Sequence, residues 1–284
     1  MIQNNYIPIP LPENIPISNV HIINAWNNVT SEFGICNLYY PTITFDKSIP
    51  ALRGINLNWK LLFNFFYFPR NIPLKDIQWW IEYGMFYHEI SHYHICPYDG
   101  VTFYNFLNEL NNIKACSLSF ENKIAFVNYF CDFIVNIYLT KRFPNDYPKA
   151  QLIWHKWIDN LLKSQKINHT KTWQILVSTM ELEWKTNEFN FNEEIYNISK
   201  KINEILHENI SWNKMLNKIY QLLYSIFKEE FENSKYTDDN SEKNFTKKIN
   251  NKSYPIDITI AEGNLFDIKL KSTVDNPQEA HLQN

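Results

Sequence analysis

Residues 88 to 92 read His-Glu-Ile-Ser-His, and they lie inside a stretch whose pattern predicts one long helix. The stretch runs from Pro73 to Ile95. Pro73 suits a helix start, Asp76 falls in the first turn, no further proline interrupts the run, and its aromatic-rich body carries a single Gly84. An α-helix advances about 5.4 Å per turn, so residues four apart stand above one another and His88 and His92 can both grip a single metal ion. Glu89 projects beside them. Two imidazoles and a carboxylate on a mostly apolar helix are costly to bury without partners, and a metal ion supplies those partners.

The rest of the chain must build a fold around that helix. It has 284 residues, 45% of them hydrophobic, which is ample for a substantial core. The net charge is −3, with lysine and arginine scattered among acids, so no basic footprint argues for nucleic acid. The longest apolar run, Ile124 to Leu139, is short for a bilayer and is interrupted by Asn128, Asp132 and Asn136, so no membrane span is expected. The Pro-rich start, Met1 to Pro16, has neither a basic opening nor an apolar core, unlike a signal peptide. Cys36, Cys96, Cys116 and Cys131 are widely spaced without a CxxC, which suits reduced thiols; together these features lead us to expect a cytoplasmic protein.

The expected class is α+β and predominantly helical, with a small N-terminal β-sheet packed on the motif helix and a helical C-terminal half. Residues 1–38 read as an irregular Pro-rich segment, 39–143 as the core that carries the motif, 144–231 as a helical subdomain, and 232–284 as linker, strand and flexible tail. Strands are expected at Thr42 to Phe45, within Leu57 to Phe68 and at Ile256 to Ile260. A sheet edge beside the motif helix would offer main-chain pairing to an extended peptide. Helices are expected near Asn122 to Arg142, Tyr147 to Lys163, Thr170 to Trp184, Phe191 to Glu208 and Ser211 to Phe231.

A catalytic zinc has three protein ligands and one open position, so the two histidines need a third donor. Asp132 is the first choice. It lies 40 residues after His92 among Phe130, Cys131, Phe133 and Ile134, where a lone carboxylate needs a cation or a strong donor. Asn128 and Asn136 share its helical stripe and would orient the ligands or the substrate. Asp99 is the rival ligand, or a support for His88 or His92 from behind; Cys96, His94, Glu121 and Glu109 are further alternatives. Tyr93, Tyr98, His155 and His169 are candidates for an additional proton or hydrogen-bond donor, and no spacing selects among them.

His88-Glu89-Ile90-Ser91-His92 followed by Asn128-Tyr129-Phe130-Cys131-Asp132 resembles a minimal zincin of the gluzincin or aspzincin type, over about Tyr39 to Arg142. Two departures stand out. Position 129 is tyrosine where gluzincins place a glutamate, and the metzincin extension fails, with Ile95 at its glycine position and Tyr98 at its ligand position. The continuation from His92 to Asp99, His-Tyr-x-x-x-Pro-x-Asp, is similar to intracellular prokaryotic metallopeptidases found beside ATPases and von Willebrand A-type domains.

The resemblance implies one catalytic Zn²⁺ held by His88, His92 and an acidic third ligand. It also implies a zinc metallopeptidase in which Glu89 acts as general base on a zinc-bound water. The partners would be a peptide or protein substrate and, as a further expectation, a regulatory protein. The alternative is a catalytically silent zincin-like scaffold for metal or protein binding. A third reading is a metal-independent helical binding protein.

Overall fold

The computed structural model describes residues 19–34, 40–44, 53–55, 61–64, 72–97, 100–113, 118–165 and 168–232. Nearly all of these are helical. The helices are α1 (Asn19–Glu32), α2 (Leu74–Trp80), α3 (Phe86–His94), α4 (Gly100–Asn112), α5 (Phe120–Arg142), α6 (Tyr147–Gln165), α7 (Lys171–Trp184), α8 (Glu193–Leu206) and α9 (Trp212–Glu232). A π-helical turn, Ile81–Met85, joins α2 to α3, so Leu74 to His94 is one continuous helical rod.

This overturns the expected α+β class and its N-terminal sheet packed on the motif helix. The described residues form a helical protein. Among the described residues, extended pairing is confined to Thr42–Thr44, Arg53–Ile55 and Leu61–Asn64, three- and four-residue segments in the order first, third, second. The motif helix instead has α1 and the π turn as its main neighbours. The β-branched and aromatic content between Tyr39 and Phe68 was a composition signal, and composition alone does not decide whether a segment builds a sheet. The strand expected at Ile256 to Ile260 lies outside the described residues.

Helix α1 also departs from the irregular start expected for residues 1–38. The prolines at positions 8, 10, 12 and 16 all precede it in the sequence. Ile22, Ala25, Trp26 and Val29 recur at helical spacing and are all buried, which was the available signal. The five helices expected beyond Asn122 are present as α5 to α9, their ends within a few residues of those expected. Several starts are capped as the side chains dictate. Ser119 accepts from the backbone N–H of Asn122, Thr170 from that of Trp173 at 3.2 Å, and Asn192 from that of Ile195 at 2.9 Å.

The chain divides into two compact units. The first contains α1 to α3 and the opening turns of α6. Trp26 meets Phe86 edge to face, and Trp80 stacks on Trp154 with centroids 4.7 Å apart and planes 3° from parallel. The second contains α4, α5 and α7 to α9. Its core groups Phe126, Tyr129, Tyr220 and Phe227, with Phe106 on Phe130. Among the described residues no helix is long and apolar enough to cross a membrane.

Candidate metal centre

The site starts from the phase of the motif helix. Trp80, Gly84 and His88 recur at intervals of four, so they form a ridge on that rod, and α6 lies antiparallel along it. Trp80 stacks on Trp154. At Gly84 an added Cβ would stand 3.2 Å from the Cβ of Ala150 and 2.8 Å from Cδ1 of Trp80. Only a residue without a side chain allows this approach. Gln151 donates from Nε2 to the Gly84 carbonyl at 3.4 Å. One step further along, the Tyr147 hydroxyl lies 3.0 Å from Nδ1 of His88. Tyr147 is fully buried.

His92 is fixed from its other side. Its Nδ1 lies 2.9 Å from the Cys96 carbonyl, which can only accept, so Nδ1 carries the proton and the neutral ring presents its lone pair at Nε2. That Nε2 is 3.1 Å from Nε2 of His88. Two nitrogens bound to one tetrahedral zinc at about 2.05 Å would be about 3.3 Å apart. The imidazoles therefore already converge as a pair of ligands would.

His88, His92 and Asp132 each offer a ligand atom, these atoms lie within 4.8 Å of one another, and the group can hold a metal ion. His88 and Asp132 are buried, at 3% and 5% exposure, and His92 is partly buried. The fit is chemical as well as spatial. Two borderline imidazoles with one hard carboxylate form a donor set that suits zinc or another first-row divalent metal, and three ligands leave a position open. Glu89, next to His88 on α3, is also buried, at 6% exposure.

The other residues named from the sequence separate clearly. On α5, Asn136 is buried and Asn128 partly so, on either side of Asp132 at helical spacing. Asp99 and Tyr98 lie outside the described residues, as does the side chain of Glu121. Cys96 contributes its carbonyl to His92. His94 packs its ring against Phe33, and Glu109 accepts from Asn217. His169 is engaged by Asp159 at 2.9 Å and stacks on Trp173. Tyr93 and His155 are buried. Tyr147 was not among the sequence candidates. Its partner is 59 residues away, and no local pattern joins a tyrosine in the first turn of one helix to a histidine on another.

Both described cysteines, Cys96 and Cys131, are buried. Comparison with protein-family models, with curated proteins and with solved structures found no match.

Proposed function

We propose that the protein is a zinc-dependent hydrolase acting on peptide bonds. The observation that supports this reading is the convergence of His88, His92 and Asp132 beside a buried Glu89 on the same helix as the two histidines. The peptide substrate is carried by the motif's resemblance to zincins.

His88, His92 and Asp132 would hold the ion and leave one position open to water and substrate. When bound, zinc would polarise the scissile carbonyl and make water a nucleophile near neutral pH. Glu89 would accept the proton of the attacking water and pass it to the leaving amine, so one carboxylate serves both halves of the reaction. Burial of these groups strengthens every charge interaction among them.

The test combines metal content with turnover. Protein purified without added metal should carry about one zinc per chain, lost in His92→Ala and in Asp132→Ala. Glu89→Gln should keep the zinc and lose cleavage of a mixed peptide library. A protein that takes up no zinc when supplied would sink the proposal. Zinc uptake without cleavage of any peptide would point instead to a silent metal-binding scaffold.

A further inference from the structure

We infer that Tyr147 is a positioning residue of the metal centre: its buried hydroxyl accepts from Nδ1–H of His88 and so holds the Nε2 lone pair of that ring toward the metal. This rests on the metal-centre reading above and specifies how one ligand is prepared.

A neutral imidazole carries one proton on two nitrogens, and only the unprotonated nitrogen can bind a metal. The two motif histidines meet through Nε2, so both rings must keep their proton on Nδ1 when an ion is held. For His92 the Cys96 carbonyl enforces this, because it accepts and never donates. For His88 the group at the equivalent place is the Tyr147 hydroxyl, 3.0 Å from Nδ1. The ligands are thus supported unequally. One is tied to its own helix end and the other to a different helix.

A phenol also differs from the carboxylate that often supports a zinc-bound histidine. A carboxylate raises the basicity of the ring and feeds charge toward the metal, whereas a neutral hydroxyl orients the ring and raises its basicity less. A zinc ion held there would keep more of its Lewis acidity than one whose histidine is backed by a carboxylate.

The position of the hydroxyl depends on the helix pairing that leads to it. Gly84 and His88 lie on one ridge of the motif helix, and Ala150 and Tyr147 on one face of α6. The close approach at Gly84 and the hydrogen bond from Gln151 to its carbonyl fix the register one turn before the histidine. At 0% exposure, Tyr147 is shut off from solvent in that position.

The experiment is zinc affinity by chelator competition on metal-free wild type and Tyr147→Phe, with the melting temperature of each metal-free protein measured alongside. The variant removes one oxygen and keeps the ring. Zinc binding should weaken about 10- to 100-fold while the metal-free protein still melts cooperatively. A second readout is spectroscopic: imidazole ¹H–¹⁵N spectra of the zinc-loaded wild type should show protons on Nδ1 of both His88 and His92. In zinc-loaded Tyr147→Phe the His88 proton should exchange faster and the His92 proton should not change. Zinc affinity within twofold of wild type would overturn the role of Tyr147, as would a wild-type His88 without a proton on Nδ1. If wild type itself bound no zinc, the metal-centre reading would fail first and this inference with it.

Discussion

A methyl group on Gly84 would sit 2.8 Å from Cδ1 of Trp80 and 3.2 Å from the Cβ of Ala150. Trp80 cannot yield easily, because it is buried and stacked on Trp154. Gly84→Ala gains helix propensity but overpacks the contact between the motif helix and α6, and the clash wins. The expected cost is about 1–3 kcal/mol in urea unfolding. Zinc affinity should fall as well, since the same contact places Tyr147. An alanine variant as stable as wild type would show that α6 can shift without loss.

Zinc should stabilise the folded chain by mass action. At a free concentration of about 100 times Kd the gain is about 2.7 kcal/mol, reversed by a chelator. The same measurement on Asp132→Asn should show a much smaller gain, because a neutral amide is a poorer ligand. Equal stabilisation of both proteins would remove Asp132 from the ligand set.

Acid should weaken the second unit through His169. Burial pushes the pKa of this ring down, and that outweighs the opposing hydrogen bond and charge of Asp159; Lys163 lowers it further. The folded-state pKa thus lies below the ordinary value of 6.5, so the unfolded chain takes up its proton first. Stability is therefore expected to fall as pH drops from about 6.5 toward the lowered folded value. Glu230 works in the opposite sense. It accepts from the backbone N–H groups of Lys171 and Thr172, but burial raises its pKa, so its contribution declines as pH rises through that raised value. His169→Gln isolates the first effect: the dependence of the urea midpoint on pH just below 6.5 should become shallower, and an unchanged profile would contradict the assignment.

Lys185 ends α7 in the left-handed region, at φ 57° and ψ 39°, with its N–H and that of Thr186 both turned back to the Glu181 carbonyl. Glycine adopts this conformation without the Cβ penalty. Lys185→Gly should raise stability by about 0.5–1 kcal/mol in the same urea assay. A loss would mean that the lysine side chain contributes a contact worth more than the strain.

Much of the helical framework was legible because amphipathic periods and caps are local. Ser119, Thr170 and Asn192 mark starts that the structure keeps, and the long apolar run of α5 is buried almost throughout. The N-terminal region misled for the same reason. Its β-forming composition and its prolines are local signals too, but neither specifies what the segment packs against, and α1 went unread between them.

The sequence by itself determined the pairing of His88 and His92, because a spacing of four on one helix puts two side chains on one face whatever surrounds them. Glu89 came with them by adjacency. Asp132 stands as a candidate third ligand, and only the tertiary structure decided that the Cys96 carbonyl orients His92 and that Tyr147 stands behind His88. The physical reason is range. Helical spacing fixes geometry over one or two turns, whereas the approach of α6 depends on an empty space at Gly84 and on a tryptophan stack one turn further back.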